Sequence, residues 1–415
     1  MKLTMKNIGV IRDAEIELDG ITVLAGFNGT GKSTVSKALY GVIAPYVNLS
    51  QKILEERKKS IANLILFSFI APAYGAGMPH GILGTNPSKK LLDDLATKSR
   101  PVPEQYEEWL ALFPSLREAD SAQAKEVFPR FLEKLRNAVN RPDTEYVQYL
   151  AYEILKPVFG AKINTIASPL PAEITLTAGK TTRHITIQEN KVTACDGQEI
   201  HASRPVYLDT GHMLDGVNEY DGLDKSNKVP PYIGELYRLL KASDSRPTLE
   251  EYKSRERIQD MIVSVIHGKL ILSSFGEFMF QDDNFPEPIS LYNVAAGNKT
   301  FAFLQRLIEN GALRANTVLI IDEPESNQHP EWQLKLAETL VLLHKELNVR
   351  LFLTTHSTYF LRAIEVYSDR YELVSHCHYY QTQPVDSAEN LFYVRNVDGQ
   401  TNLVYHDFYM PLEEL

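Results

Sequence analysis

Two stretches of this 415-residue chain hold residue types at spacings suited to phosphate chemistry. Gly26-Phe27-Asn28-Gly29-Thr30-Gly31-Lys32-Ser33-Thr34 fits G-x-x-x-x-G-K-[ST] at every fixed position. Its glycines let the backbone curl so that successive N–H groups converge on phosphate oxygens. The N-terminus of a following helix adds its positive end. Lys32 then reaches the β- and γ-phosphates, and Ser33 offers a hydroxyl to Mg²⁺. The second stretch, Thr317-Val318-Leu319-Ile320-Ile321-Asp322-Glu323, ends an apolar run with two adjacent carboxylates. Asp322 suits Mg²⁺, directly or through water. Glu323 points elsewhere and can orient and deprotonate an attacking water.

This chemistry needs a strand before each motif and a helix after the first. Residues 3–8 and 14–18 alternate like strands, with a turn at Gly9 and another at Asp19-Gly20. Residues 21–25 form a short apolar run, as a strand buried on both faces does. A helix is expected over 32–44. From about 47 to 157 helical periodicity dominates, with breaks at 71–84 and 100–103 and amphipathic pieces at 121–139 and 145–155. The apolar run 61–73, at about 13 residues, is short of the ~20 that span a bilayer and reads as a buried helix. Strands are expected at 173–177, 183–187, 191–194 and 205–210, and a polar, turn-rich segment at 215–229. Helices follow at 231–240 and from a capping box, Thr248 with Glu251, toward Ile266. A hairpin is expected through Gly276, and two strands are expected around Asp398-Gly399. Lys32 and Asp322 lie much further apart than one βαβ crossover requires, so the intervening chain must be inserted between two halves of one domain.

Composition bounds the class. The net charge is −10 and charged residues make up 23%, which argues against a chain coated in nucleic-acid-binding charge. A local basic patch that touches DNA stays compatible with it. Two cysteines, Cys195 and Cys377, exclude a disulfide framework and a four-cysteine zinc site. The first residues lack the apolar core of a signal peptide, so a cytoplasmic location is expected. His376-Cys377-His378 has the look of a metal cluster, but on a strand the two histidines share a face and no further ligand lies near. The charge-rich 52–59 segment reads as a solvated helix face.

The residues then reach a family. The chain resembles the ABC-type ATPases of the RecF/SMC/OLD group. The strand pair before Gly26 is similar to that family's N-terminal lobe. Glu323-Pro324-Glu325 through His329-Pro330-Glu331-Trp332-Gln333 resembles its extended Walker B and D-loop, and Leu353-Thr354-Thr355-His356-Ser357 its switch-histidine strand. Asn293-Val294-Ala295-Ala296-Gly297-Asn298-Lys299 stands where the signature motif belongs, ahead of a helix over 300–308. The resemblance covers 1–45 and 288–365 and says little about the middle.

It implies an α/β fold: an ABC-type P-loop nucleotide-binding domain, with a mixed sheet, an N-terminal antiparallel lobe and a large, mainly helical insertion. The expected division is 1–46 (lobe and Walker A), 47–165 (helical insertion), 166–287 (middle of the ATPase) and 288–415 (signature, Walker B, D-loop and switch histidine). It also implies ATP and Mg²⁺ as cofactors. The P-loop residues Asn28 to Thr34 would hold nucleotide, Ser33 and Asp322 Mg²⁺, Glu323 would be the catalytic base and His356 the γ-phosphate sensor. Ala296, Gly297, Asn298 and Lys299 would close the site of a second copy in an ATP-dependent dimer. Ala296 departs from the usual serine, and Ser326-Asn327-Gln328 departs in the D-loop. Asp209-Thr210 is a candidate Q-loop. The tail reads without the Glu and Asp-x-Asp cluster of a TOPRIM nuclease. Stand-alone ATPases of this kind resemble those of bacterial anti-phage systems such as Septu, whose partner is an HNH nuclease, so control of an effector in defence or DNA repair is the implied output. A scaffold that binds ATP with negligible hydrolysis is the alternative, favoured by Ala296. A transporter ATPase would carry LSGGQ, and a GTPase an N/T-K-x-D motif.

Overall fold

The apolar run Ile21–Ala25 forms β3, buried along its whole length, and the chain organises around it. The computed structural model describes residues 1–71, 87–113, 121–200, 204–209, 230–242, 249–385 and 390–413. Upstream lie β1 (Lys2–Ile8) and β2 (Ile11–Glu17), paired antiparallel around Gly9. Further on come β4 (Ala172–Ala178), β5 (Thr181–Gln188), β6 (Lys191–Asp196) and β7 (Pro205–Leu208). After a separate small antiparallel sheet of β8 (Gly268–Leu272), β9 (Phe278–Asp282) and β10 (Ile289–Ser290) come β11 (Val318–Asp322), β12 (Arg350–Thr355), β13 (Cys377–Pro384) and β14 (Phe392–Asn396). Among the described residues the large sheet has the order β6-β5-β4-β1-β2-β14-β13-β3-β12-β11-β7.

The order separates two regimes. From β13 to β7 all pairings are parallel, so the strands end at a common edge, where ligands of α/β sheets bind. From β6 to β2 the strands are antiparallel and form the lobe. Helix α1 (Lys32–Ile43) packs against β7, β11 and β12 and also against β1, β4 and β5, so the lobe folds over the helix that opens after the loop. The architecture is α/β, as expected: a mixed sheet with an antiparallel N-terminal lobe and a mainly helical insertion.

The helical insertion is a compact unit over Asn48–Tyr149. It holds α2 (Leu49–Leu64), which widens into a π-helical turn over Ile65–Ile70, then α3 (Lys89–Ala96), α4 (Tyr106–Leu112), α5 (Ser121–Asn140) and the start of α6 (Asp143–Val158). Its core is aromatic: Phe69 stacks on Phe131 at 4.7 Å and meets Trp109 edge-on at 5.6 Å. Buried Arg57 donates to Asp143 at 2.6 Å and to the Arg141 carbonyl at 3.1 Å, which answers the cost of burying a charge.

The other unit, Met1–Val47 with Leu150–Leu415, adds α7 (Pro231–Lys241), α8 (Leu249–Ile266), α9 (Ala296–Glu309), α10 (Pro330–Leu347), α11 (Thr358–Arg370) and α12 (Asn402–Glu413). Helices α8 to α11 share one apolar core with β3, β11 and β12.

Two expectations are corrected here. His376 sits in a 3₁₀ turn and only Cys377 and His378 enter β13, so the two histidines do not share a strand face. His378 lies 3.2 Å from Asp398. Strands were expected on both sides of Asp398-Gly399. Instead β14 precedes that turn, with the Asp398 carboxylate accepting from the Tyr379 N–H at 2.6 Å, and helix α12 follows it. The Thr248 cap, Thr210, the break at 72–84 and the 215–229 segment lie outside the described residues. Among the described residues no helix is long and apolar enough to cross a membrane.

Candidate functional site

Gly26 to Gly31 connect the C-terminal end of β3 to the first turn of α1. The Gly26 N–H donates to the Thr355 carbonyl at 3.2 Å, which ties the loop to β12. Lys32 turns back and donates to the carbonyls of Gly26 and Phe27 at 2.9 and 3.0 Å. It is only 3% exposed. Gly29 and Gly31 have φ of 79° and 93°, where a side chain is strained. A Cβ on Gly31 would also stand 2.6 Å from Ile11 Cδ1. Gly31 caps α1 without a side-chain hydrogen bond, so the first-turn N–H groups gain no partner from a cap. Those donors, beside a buried ammonium, fit a phosphate group. Asn28 and Gly29 are exposed, Ser33 and Thr34 half-buried. The Thr30 hydroxyl donates to the Phe27 carbonyl at 2.8 Å and accepts from Thr382 at 2.7 Å. Its side chain therefore holds the loop's shape, and only its backbone remains for a ligand.

Asp322 ends β11, two strands from the loop and opposite Thr354 in the β12 register. Thr354 and Ser33 hydrogen-bond it, and Ser36 donates to Oδ1 at 3.4 Å. On the other side, Tyr207 from β7 donates to Oδ2 at 3.4 Å. Burial pushes the Asp322 carboxyl above its usual value. The Ser33 and Thr354 hydrogen bonds pull it down, and the Asp209 and Glu323 charges push it further up. A buried carboxylate beside a serine hydroxyl is a donor set that suits a hard cation such as Mg²⁺.

Glu323 has φ of 50°, a left-handed conformation uncommon for a residue with a side chain. Its N–H donates to Thr354 Oγ1 at 3.0 Å, and the twist swings its carboxylate away from Asp322. Glu323 Oε1 then lies 3.4 Å from Lys32 Nζ and 3.5 Å from His356 Nδ1. His356 follows β12, just before α11, which Ser357 caps by accepting from the Phe360 N–H at 3.2 Å. Lys32, Ser33, Asp322, Glu323 and His356 are thus brought to one edge of one sheet.

The signature residues stand apart in their behaviour. Helix α9 begins at Ala296, earlier than the spacing predicts, and Ala295 gives no side-chain cap. Ala296 is half-buried. Gly297 packs so close to Trp332 that a Cβ would stand 3.0 Å from its ring. Asn298 has a buried Oδ1 without a hydrogen-bond partner among the described residues. Lys299 is 1% exposed, inside the core of its own chain. Lys299, expected to face a second copy, is thus enclosed by its own chain in this structure.

Several residues of the site escaped the sequence reading. Tyr207, Ser36 and Thr354 were seen only as strand or helix residues, since nothing in their local pattern marks contact with Asp322. Thr382 comes from β13, whose polar, aromatic sequence hides a strand paired directly with β3. Of the Asp209-Thr210 candidate only Asp209 is described. It ends the segment after β7, and Tyr232 hydrogen-bonds it.

Residues 206–362 match the family model described as AAA domain, putative AbiEii toxin, Type IV TA system, and residues 2–45 match an AAA domain model. Similar solved structures include an Smc head bound to the C-winged helix domain of ScpA, at 10% identity over 97% of this chain and 98% of that one, with a TM-score of 0.43. The SMC head domain from Thermotoga maritima matches at 11% identity over 95% and 98%, with a TM-score of 0.37. A Pyrococcus furiosus Smc head with an extended coiled coil, bound to the C-terminal domain of ScpA, matches at 8% identity over 98% of each chain, with a TM-score of 0.41. At these scores the likeness supports no statement about this chain. No curated protein matches it.

Proposed function

We propose that the chain is an ATP-binding and hydrolysing switch that pairs with a second copy around ATP and controls a partner effector. The observation that carries this reading is the meeting of Lys32 and His356 at 3.4 and 3.5 Å from one carboxylate oxygen of Glu323, beside buried Asp322. In this reading the backbone of Asn28 to Gly31, with Lys32 and Thr34, holds the phosphates. Ser33 and Asp322 hold Mg²⁺, which when bound neutralises charge on the phosphates. Lys32 leaves the Gly26 and Phe27 carbonyls for phosphate oxygens, and its ammonium moves off Glu323. That frees Glu323 to take a proton from a water. His356 contacts the γ-phosphate end, and the N-terminus of α9 at Ala296 to Asn298 meets the phosphate of the second copy.

The output on an effector, a nuclease or toxin in anti-phage defence or DNA repair, is supported by the toxin system named in the matching family model. An HNH nuclease is the partner class to test first. A second reading, a scaffold that binds ATP and scarcely hydrolyses it, is favoured by Ala296, which lacks the hydroxyl usual at that position. Phosphate release and light scattering on the parent and on Glu323→Gln decide between them. A hydrolysing switch releases phosphate only in the parent and accumulates an ATP-bound dimer in the variant. A scaffold gives dimer in both with no release. A chain that binds no ATP ends both readings.

A further inference from the structure

Glu325, two residues beyond Glu323, is buried to 3% side-chain exposure. Its Oε1 accepts from the Thr355 hydroxyl at 2.6 Å and from the backbone N–H of His356 at 2.9 Å. Its Oε2 is buried with no hydrogen-bond partner among the described residues. His356 Nδ1 lies 3.5 Å from Glu325 Oε1 and 3.5 Å from Glu323 Oε1. A proton on Nδ1 would face two carboxylate acceptors there, whereas an unprotonated nitrogen would set its lone pair against both. Both distances exceed the ~2.9 Å of a well-formed N–H···O bond, so a small ring movement decides which carboxylate receives it.

Three observations decide in favour of Glu325. It is buried, whereas Glu323 has 27% exposure, and the same charge acts more strongly where water is excluded. Its oxygen is fixed by His356's own backbone and by Thr355, so it is rigid relative to the ring. Glu323 Oε1 is shared with Lys32 at 3.4 Å. We propose that Glu325 is the positioning residue that holds His356 by its Nδ1–H, which leaves the ring's other nitrogen, Nε2, for a ligand and keeps the ring from occupying Glu323. This inference rests on the ATPase reading for its kinetic consequence but not for its geometry.

The test uses the full chain, free of nucleotide and labelled with ¹⁵N. Long-range ¹H–¹⁵N spectra report which imidazole nitrogen is protonated, and His356→Gln assigns the signal. Glu325→Gln keeps the acceptor oxygen and the volume but removes the charge. Its His356 signal is expected to shift toward mixed tautomers, whereas Glu323→Gln leaves the signal as in the parent. Glu325→Met, which removes both acceptor oxygens at similar volume, shifts it in the same direction and serves if Glu325→Gln fails to fold. An unchanged signal in Glu325→Gln, or in Glu325→Met where it stands in, overturns the proposal, as does a shift found only in Glu323→Gln. In turnover, kcat of Glu325→Gln falls about tenfold or more with KM within about twofold, as for other residues that orient a working histidine. An unchanged kcat also overturns it. A parent that neither binds nor hydrolyses ATP ends the ATPase reading and leaves the spectra to decide this one.

Discussion

Lys32 is seated on carbonyls of its own loop, and this makes its substitution a test with two separate readouts. Its Nζ donates to two carbonyls at 2.9 and 3.0 Å and lies 3.4 Å from Glu323. Hydrogen bonds that involve a charged group contribute about 1.5–3 kcal/mol each. Lys32→Met keeps most of the side-chain volume, loses both bonds and leaves two loop carbonyls short of a donor. The loop carbonyls regain part of this through water, so a loss of about 2–4 kcal/mol of folding stability is expected without any nucleotide. Urea unfolding of the apo protein measures it. A double-mutant cycle with Glu323→Gln isolates the ion pair, for which a coupling of about 0.5–3 kcal/mol is expected. Calorimetry on the same variant measures ATP affinity, which should fall by at least about 100-fold, a loss of some 3 kcal/mol. An unchanged urea midpoint refutes the seating of Lys32 on the loop carbonyls. Unchanged ATP affinity in a folded variant refutes the phosphate site.

Gly31→Ala should destabilise the fold outright, because its φ of 93° and the 2.6 Å approach to Ile11 penalise any Cβ; a melting curve like the parent's contradicts the loop geometry. Ala296→Ser should tighten ATP-dependent self-association by roughly one to two tenfold steps, read by sedimentation with a non-hydrolysable nucleotide, since a hydroxyl on a charged acceptor adds about 1.5–3 kcal/mol. Gly297→Asp is a poorer probe of the same segment, because the new side chain first meets Trp332 at 3.0 Å. Burial raises the Asp322 carboxyl above 3.8, so its protonated form is the one the folded chain favours. That stabilisation is full below pH 3.8 and is lost as pH rises through the raised value. Asp322→Asn should thus melt above the parent at pH 8 in the absence of Mg²⁺, with a margin that narrows as the pH is lowered. A lower melting point at pH 8 counts against the burial argument.

The parts of this fold that the sequence made legible are those whose local pattern and tertiary role coincide. The apolar run before Gly26 and the one before Asp322 read as buried strands, and the glycines between Gly26 and Lys32 as a curled loop; the structure has β3, β11 and a loop with two glycines at positive φ there. The amphipathic helices of the insertion announced themselves by period. The strand β13 did not. Tyr380, Gln381 and Thr382 are polar by type, yet they are buried because each spends its polar group on a partner distant in sequence: Glu17, Asp407 and Thr30. Glu325 was visible only as the end of the Glu-Pro-Glu triplet. That its carboxylate turns inward, to Thr355 and His356, depends on a β-strand register set elsewhere in the chain.

The position of β3 has a consequence for synthesis. Its two neighbours in the sheet are β12 and β13, and both lie far downstream of it in the sequence. As the chain leaves the ribosome, the phosphate loop emerges early but has nothing to pair with. At about 5–20 residues per second, it waits tens of seconds for its flanking strands. Until Thr355 and Thr382 arrive, neither the Gly26 N–H nor Thr30 has its partner, and the loop cannot take its working shape. Nascent chains should therefore be unable to grip nucleotide until β12 and β13 have emerged, and any chain arrested before β12 leaves an apolar strand with bare edges, a natural target for chaperones.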